Sequence, residues 1–454
     1  MLRITLCCLA LATTVSGASA ATHRVPSEYP TIQAGIDACA SGDTVLVAAG
    51  TYSGQGNIEL KFNGLQCTLV GESGPALTII DCNGAGKGIN LRSDGASTAE
   101  VVGFTIREAA YVSGEGGAVS ARDDDLIFVD VHFMDKSSTF GGGINVASGR
   151  LVVRNCQFER NHAEWDGGAL GAILGAVVLV QDCQFLDNSA GAAGGAIYGN
   201  GADSLLVRNC LLQGNRGGAI GGGAISAASH AGFEGLIFIA NEAIDDGGAM
   251  LLAGSDHSTS VRDCIFIGNH ASGGSGGAIC MGVGFEPAGH AIIEGCLFTG
   301  NTASFGGGGI GMGNYSAPTI KSCTFVGNSA DVVGGAIFMH WYSTPTIEQV
   351  LVTGNLANGG ISVDGVSAPI VSCCDLWGNA GGNYVGNNDP IGTNGNISAD
   401  PRFCGAQPDD FTLQANSPCA PANNSCGTLI GLYGVDCDSV AVQRESWGGI
   451  KSRY

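Results

Sequence analysis

The sequence predicts an all-β fold, a single right-handed parallel β-helix solenoid with an N-terminal helical cap and a disulfide-rich C-terminal cap. Its main support is a motif that recurs every 24 to 32 residues through most of the chain, a spacing typical of solenoid repeats. Each copy contains short β-branched runs bounded by glycine, without the apolar periodicity of a helix. Each copy is therefore expected to form one coil, whose strands pair with the same strands of the neighbouring coils.

Fixed residue types at fixed positions mark every repeat. In the clearest copy a short strand ends at Cys156, Phe158 and Asn161 follow, and the pair Gly167-Gly168 begins the next strand. Because neighbouring strands lie about 4.8 Å apart, residues at one repeat position should form a ladder along the solenoid. The predicted cysteine ladder contains Cys156, Cys183, Cys210, Cys264, Cys296, Cys323 and Cys374. The predicted asparagine ladder contains Asn161, Asn188, Asn215, Asn241, Asn269, Asn301, Asn328, Asn355 and Asn379.

Each ladder has a physical reason. Asparagine tolerates the left-handed conformation of a sharp corner, and its stacked amides can hydrogen-bond along the axis. The glycine pairs supply positive φ and small size at another corner. Phenylalanine and isoleucine are expected to point inward, where each coil gives the next an apolar floor. The ladder cysteines are interpreted as buried thiols that act as small hydrophobes, with disulfides along the axis as the alternative.

The combination of Phe-x-x-Asn with Gly-Gly-Ala and an aliphatic residue resembles the repeat of the chlamydial polymorphic outer membrane proteins. Many bacterial extracellular β-helix proteins share that repeat, and here the resemblance covers about residues 101–380. It implies the β-helix fold. Because the chlamydial proteins act as surface adhesins, it also implies a binding or structural role at a cell surface.

The first 20 residues are predicted to be a secretory signal peptide. Arg3 precedes an apolar run, and Ala18-Ser-Ala20 has the pattern of a cleavage site. No later segment is long and apolar enough to span a membrane, so the mature protein is expected to be secreted or held at the cell surface. Removing Arg3 leaves 18 basic and 40 acidic residues, a net charge of −22. This balance argues against nucleic acid as a partner and leaves a glycan or a surface protein, bound by a monomer.

Four segments follow the signal peptide. Residues 21–95 are predicted to form the N-terminal cap and first coils, 96–395 the β-helix repeats, 396–437 the C-terminal cap, and 438–454 a basic aromatic tail. Helical spacing from Thr31 to Cys39, followed by a strand after Asp43, resembles the N-terminal region of pectin-lyase-like proteins, including pectinesterases. That resemblance implies a helix covering the first coil, which would otherwise expose a sheet edge. The tail is interpreted either as a frayed terminus or as an address for export machinery.

Cysteines outside the ladder are candidates for disulfides, since the chain is expected to be exported. They form one group near each end of the solenoid, and the sequence leaves their pairing open. A metal site is the alternative for the C-terminal group, although its spacing is unlike that of zinc sites. The candidates are Cys39, Cys67 and Cys82 at one end and Cys404, Cys419, Cys426 and Cys437 at the other.

No catalytic residue is predicted. The signatures of pectinesterases, pectate lyases and polygalacturonases are absent from the sequence. A pair of carboxylates on adjacent coils could still catalyse glycoside cleavage, and a polysaccharide-active enzyme of the pectin-lyase-like group is the alternative function. The candidate carboxylates fall in turns, where aspartate is common for backbone reasons, and calcium bound there is the open alternative to having no cofactor. They are Asp123, Asp124, Asp125, Asp166, Asp245 and Asp246.

Aromatic residues in the variable loops are the predicted ligand-binding residues. Insertions between repeats collect on one edge of a solenoid, which is often its binding edge. In three successive coils these loops carry Phe285, then Tyr315, then His340, Trp341 and Tyr342. Exposed aromatics on consecutive coils could stack on sugar faces or hold a protein partner. The alternative is that these rings pack on neighbouring loops.

Overall fold

The computed structural model describes residues 20–91, 97–109, 116–228, 230–254, 259–282, 290–405 and 410–437. They form a parallel β-solenoid built from three sheets of 25, 8 and 12 strands, in which each strand pairs with its counterpart one coil away. The predicted signal peptide, apart from Ala20, and the tail lie outside the described residues. None of the helices in those residues is long and apolar enough to cross a lipid bilayer.

Sheet 1 has two arms, which meet at the corner where the ladder cysteines lie. Two long strands run through both arms: Thr98–Arg107 and Asp125–Met134. The other strands of the first arm are Thr22–Val25, Thr44–Val47, Gln66–Gly71, Arg150–Arg154, Val177–Gln181, Ser204–Arg208, Ala231–Glu234, Ser260–Arg262, Ile292–Glu294, Thr319–Lys321, Thr346–Glu348 and Ile370–Ser372. Those of the second arm are Gly50–Ser53, Thr78–Asp81, Gln157–Glu159, Gln184–Leu186, Leu211–Gln213, Ile237–Ile239, Ile265–Ile267, Leu297–Thr299, Thr324–Val326, Leu351–Thr353 and Asp375–Trp377.

Sheets 2 and 3 complete each coil. Sheet 2 consists of two-residue strands: Ser137–Ser138, His162–Ala163, Ser189–Ala190, Arg216–Gly217, Glu242–Ala243, His270–Ala271, Thr302–Ala303 and Ser329–Ala330. Sheet 3 consists of Ile89–Leu91, Val119–Arg122, Ile144–Ala147, Leu170–Ile173, Ile197–Tyr198, Ile225–Ala227, Met250–Leu252, Ile279–Met281, Ile310–Met312, Ile337–Met339, Ile361–Val363 and Tyr384–Val385. The described helices are α1, Ile32–Asp37, and a 3₁₀ turn, Pro421–Asn423.

Ring stacks run through the core of the solenoid. In four consecutive coils Phe238, Phe266, Phe298 and Phe325 are fully buried, and adjacent ring centroids are 4.4 to 4.8 Å apart with nearly parallel planes. This distance is the spacing between neighbouring strands, so the stack follows directly from the in-register pairing. The inward positions thus form one continuous apolar core along the described coils.

The asparagine ladder is a hydrogen-bonded chain inside the solenoid. The Oδ1 atom of Asn188 accepts from the backbone N–H and the Nδ2 of Asn161, at 3.0 and 2.9 Å. Its Nδ2 donates to the carbonyl of Phe158 and to Oδ1 of Asn215, both at 3.0 Å. The same pattern continues coil by coil to Asn379. From Asn188 onward, each buried amide of this chain therefore uses both donors and both acceptor positions, as a buried polar group requires.

The conformational reason that the sequence suggested for asparagine was wrong. The left-handed residue is the one before it: Arg160 has φ 51°, and Asn155, before Cys156, has φ 50°. Asparagine is required instead for its amide, which must reach both neighbouring coils. The two glycines of a pair have different roles. Gly167 supplies the positive φ, at 68°. Gly168 supplies the small size, because a Cβ there would lie 2.1 Å from a carbonyl oxygen of the next coil.

Lys136 occupies the ladder position one coil before Asn161. Its carbonyl accepts from His162 as the carbonyl of Asn161 accepts from Ser189, but its side chain cannot replace the amide. Among the described residues, neither Lys136 Nζ nor Asn161 Oδ1 has a hydrogen-bond partner. Burial lowers the pKa of Lys136 to about 7. The ladder thus begins with a buried amine and an unpaired acceptor.

The first coil is not closed by a helical cap, contrary to the sequence prediction. Helix α1 has six residues, capped at Thr31, and buries Ile32 and Ile36. Gly35 lies against Val45, where a Cβ would be 2.9 Å from that side chain. A helix of six residues is fewer than two turns long, so it does not make up the helical cap that the sequence predicted. Thr31-to-Cys39 spacing therefore overestimated the length of the helix.

The C-terminal segment is held by two disulfides. Cys373 pairs with Cys426 and Cys404 with Cys437. The sequence predicted that four cysteines of this segment were disulfide candidates but did not include Cys373. Cys419 remains a free, buried thiol.

Cys419 meets a buried carboxylate. Its Sγ donates to Oδ2 of Asp375 at 3.1 Å, and both residues are fully buried. Burial raises the pKa of Asp375 to about 6, against hydrogen bonds from Ala399 N–H and Cys419 that favour the charged form. Leu413 and Ile430 cover Leu351 nearby. The C-terminal segment therefore lies over the outer face of the second arm, besides following the last coil.

Candidate functional site: an aromatic strip on two consecutive coils

Two equivalent turns, in consecutive coils, join sheet 3 to the first arm of sheet 1. In one turn Asn314 and Tyr315 have φ 48° and 62°, and in the other Trp341 and Tyr342 have φ 54° and 61°. Left-handed backbone is uncommon for residues other than glycine and unfavourable for bulky ones. The turns support each other, since the N–H of Tyr315 donates to the carbonyl of Trp341 at 2.9 Å. Such strained positions cluster at functional sites.

These turns expose aromatic rings. Tyr315, Trp341 and Tyr342, which we call the aromatic strip, are 64%, 54% and 52% exposed. The rings of Tyr315 and Tyr342 stack with centroids 5.3 Å apart and planes 7° apart. Each tyrosine thus covers one face of the other, yet both remain more than half accessible. The rings pack on each other rather than under a loop of the described residues.

His340 supports the strip from below. Its ring lies 5.1 Å from that of Trp341 and 5.1 Å from that of Phe338, with which it stacks nearly parallel. It also lies against Gly313, where a Cβ would be 2.6 Å from Nε2. Burial lowers the pKa of His340, so the ring is neutral at neutral pH. The sequence predicted His340 as a binding residue; the structure places it half-buried beside the exposed rings.

Asp364, in the corresponding turn of the next coil, fixes the backbone of the strip. Its Oδ2 accepts from Trp341 N–H at 2.7 Å, and its Oδ1 accepts from Val366 and Ser367 N–H at 3.1 and 2.7 Å. Burial raises the pKa of Asp364, but these hydrogen bonds outweigh it and the net pKa is lowered. The carboxylate is therefore ionised next to the rings. Sequence reasoning missed this residue, although an aspartate whose side chain accepts from the backbone N–H groups two and three residues later is typical of such turns.

Phe285, the other predicted binding residue, lies outside the described residues. The loop that contains it precedes the turn of Tyr315 by one coil. The strip as described therefore consists of two coils, with Asp364 contributing from the third.

The candidate catalytic carboxylates serve the backbone. Asp246 Oδ1 accepts from Ser275 N–H at 2.7 Å, and Asp166 Oδ1 accepts from Ala193 N–H at 3.0 Å. Asp124 is fully buried and accepts from two backbone amides, of Ser97 and Arg122. Asp123 has the left-handed φ of a turn residue, 64°, and its Oδ1 accepts from the hydroxyl of Ser148 at 2.6 Å. Each of these carboxylates thus has a structural partner.

The remaining candidates, Asp125 and Asp245, are not brought together with other acidic side chains into a metal site. Asp125 begins a strand of sheet 1, and burial raises the pKa of Asp245. Across the described ranges, no group of three or more histidine, cysteine, aspartate or glutamate side chains is placed to hold a metal ion.

One comparison with known proteins, a family profile, supports the fold. A family profile described as "Right handed beta helix region" matches residues 64–282 and 249–408. Among solved structures, the chain is similar to the catalytic unit of a thermostable GH87 alpha-1,3-glucanase from Streptomyces thermodiastaticus, at 15% identity and a TM-score of 0.34. That match covers 81% of this chain and 65% of the glucanase unit, so the chain spans less than two thirds of that relative.

A second structure is the pectate lyase Pel9A, with 10% identity and a TM-score of 0.28 over 93% of this chain and 98% of the lyase. No curated protein matches the chain. Because the family profile covers most of the coils that the structure describes, the right-handed β-helix fold predicted from the repeats is confirmed. The chain belongs to the right-handed β-helix family.

Proposed function

We propose that this protein is exported and binds a neutral glycan through the aromatic strip of Tyr315, Trp341 and Tyr342. The observation that carries the proposal is the pair of strained turns that keep these three rings exposed on consecutive coils. An isolated exposed ring needs no explanation, but a cluster of them held in unfavourable backbone conformations does. Aromatic rings offer flat apolar surfaces on which the C–H faces of a pyranose pack well, while sugar hydroxyls remain hydrated.

The charge of the protein selects among glycans. The formal net charge is −21, and the ionised carboxylate of Asp364 lies beside the strip. Both disfavour uronate-rich or sulfated polymers, because like charges raise the cost of association. The neutral imidazole of His340 adds no positive charge to offset this. A neutral polysaccharide of hexose units is therefore the ligand class that we expect.

Export fits the disulfide content. Cys373–Cys426 and Cys404–Cys437 are both bonded, and structural disulfides form and persist mainly outside the reducing cytosol. Together with the predicted signal peptide of residues 1–20, this supports an extracellular or cell-surface location for the mature chain. A binding site on a rigid solenoid at the cell surface could then act in adhesion or in attachment to a polysaccharide matrix.

The direct test is binding of the mature protein to an array of neutral and acidic glycans. The wild type is compared with the double variant W341A/Y342A and with the control W165A, whose tryptophan is 57% exposed on a different turn. We expect the wild type and W165A to bind a neutral glycan alike and the double variant to bind at least roughly tenfold more weakly, a loss of about 1.4 kcal/mol or more.

Two results would contradict the proposal: equal binding by the double variant, with unchanged thermal stability, or binding only to acidic glycans. The same glycans are incubated with the protein and assayed for released reducing ends or unsaturated products. Release that survives in W341A/Y342A would instead indicate the alternative function, a polysaccharide-active enzyme with a site elsewhere on the solenoid.

A further inference from the structure

Two cysteines near the N-terminal end of the solenoid bring their sulfur atoms together. Cys39 lies two residues beyond the end of helix α1, and Cys67 is the second residue of the strand Gln66–Gly71. Their Sγ atoms are 3.0 Å apart, about 1 Å more than the roughly 2.05 Å of a disulfide bond. We propose that Cys39 and Cys67 form a third disulfide in the exported protein.

The surrounding backbone already has the arrangement that this bond needs. Gly42 N–H donates to the carbonyl of Gln66 at 2.7 Å, and Thr44 pairs in register with Thr68. The chain segments on either side of the two cysteines are therefore hydrogen-bonded neighbours. Because these contacts hold the two segments together, we expect rotation of the cysteine side chains to close the remaining distance between the sulfurs.

The ladder cysteines are in a different situation. Their Sγ atoms donate to backbone carbonyls, as Cys183 does to Gln181 of its own coil at 3.1 Å and to Val153 of the preceding coil at 3.6 Å, and they lie in stacked strands that pairing keeps about 4.8 Å apart. Cys82, also near the N-terminal end, is buried and free. The structure thus brings Cys39 and Cys67 together and leaves Cys82 apart, whereas the sequence did not distinguish among these three cysteines.

The reaction is ordinary thiol–disulfide exchange with a small-molecule or protein disulfide as oxidant. Cys39 is partly exposed whereas Cys67 is buried, so the Cys39 thiolate attacks the oxidant and forms a mixed disulfide. One thiol of the oxidant leaves. The Cys67 thiolate then attacks the Cys39 sulfur and expels the second thiol. Two cysteine thiols are oxidised, one disulfide is reduced to two thiols, and two protons pass from the cysteines to the oxidant.

The bond would fix the part of the molecule that the solenoid holds least. The first coil has a neighbour on only one side, so a solenoid opens most readily at its ends. A link from the segment after α1 to the strand Gln66–Gly71 ties the first coil to the second covalently. It would do at this end what Cys373–Cys426 and Cys404–Cys437 do at the other.

The test is peptide mapping of the full mature chain, secreted by its own signal or refolded with an oxidised dithiol. The protein is denatured and alkylated without reduction, digested and analysed by mass spectrometry. We expect a linked peptide pair that contains Cys39 and Cys67, with Cys82 alkylated. The linked pairs of the C-terminal segment show that the preparation is oxidised. Alkylated Cys39 and Cys67 in a preparation with those pairs intact would overturn the proposal.

Variants give a second, independent reading. In Cys39→Ser the proposal predicts that Cys67 becomes alkylated, and in Cys67→Ser that Cys39 does, whereas Cys82→Ser keeps the linked peptide. Hydrogen exchange of the wild type measures the consequence: residues 22–47 should exchange faster after mild reduction. The same change on reduction in the double variant Cys39→Ser/Cys67→Ser would contradict the proposed role of this bond at the N-terminal end.

Discussion

Replacing Asn269 by alanine tests whether the amide ladder holds the coils together. Asn269 Oδ1 accepts from the N–H and Nδ2 of Asn241 at 3.0 and 2.9 Å. Its Nδ2 donates to the carbonyl of Phe238 at 3.2 Å and to Asn301 Oδ1 at 2.9 Å. The substitution removes all four hydrogen bonds and leaves two buried donors on Asn241 and one buried carbonyl unpaired. At about 1 kcal/mol for each bond, the loss is roughly 4 kcal/mol.

The loss is measured by denaturant unfolding followed by far-ultraviolet circular dichroism. A solenoid can unfold in parts, so hydrogen exchange of the coils that contain Asn241 and Asn301 accompanies it and should show local acceleration. The control is Q213A, an exposed outward position on the second arm, where a change within about 0.5 kcal/mol is expected. A loss below about 1 kcal/mol for N269A, with unchanged exchange in both coils, would refute the reasoning.

Three further substitutions test charges at defined positions. K136N should stabilise the protein, because the new amide can donate the missing hydrogen bond to Asn161. Burial lowers the pKa of Lys136 to about 7, so between about pH 7 and pH 10 the unfolded chain binds a proton that the folded chain does not. Wild-type stability should therefore rise as the pH increases over this range, and the variant should lose that rise. An unchanged pH profile of unfolding in K136N would contradict this. In the wild type, stability should fall by about 3 kcal/mol as the pH rises from about 4 to about 6, since the folded-state pKa of Asp375 is raised to about 6. D375N should abolish this fall. A fall of the same size in the variant would show that Asp375 does not cause it. E294K replaces the partner of Arg262, 3.2 Å away on the solvent side of sheet 1, and should lower the free energy of unfolding by no more than about 1 kcal/mol, a loss that high salt should remove; a larger, salt-independent loss would point to packing instead.

The fold was predictable because most of the sequence consists of one repeated pattern. Residues such as Phe266 and Asn269 recur at a nearly constant spacing, and a parallel solenoid converts sequence period into spatial register. What the repeat does not specify is which neighbour adopts the left-handed corner. The position before Asn269 is glycine, but the same corner is filled by Arg160 and Ala240 in other coils. Since several residue types adopt the left-handed conformation at this corner, no recurring residue marks the corner in the sequence. The sequence pattern therefore led us to assign that conformation to the recurring asparagine.

Non-repeating features were harder to predict. Cys373 and Cys374 are adjacent, and only Cys374 belongs to the ladder position; Cys373 has φ 51° at the corner and bonds outward to Cys426. The repeat alignment drew attention to one of the pair and hid the other. The length of α1 was overestimated from the helical spacing of Thr31 to Cys39, because the helix ends at Asp37 with Ala38 as its C-cap.

The sequence predicted the residues of the aromatic strip because aromatic residues occur in the variable loops of successive repeats. The exposure of Tyr315 and Trp341 could not be predicted, because it depends on paired left-handed turns and on Asp364 from the next coil. These contacts join residues more than 20 positions apart, and no local pattern encodes them. The site therefore needed the three-dimensional register of consecutive coils.

The most direct measurement of the proposed function is the fluorescence of Trp341 during titration with a neutral glycan chosen from the array. The chain has four tryptophans, so the variant W165F/W377F/W447F retains Trp341 alone. We expect a saturable change in its emission that follows binding measured by calorimetry and weakens when Tyr342 is also replaced by alanine. Calorimetric binding without a change at Trp341, or the absence of any neutral glycan that binds, would contradict the account.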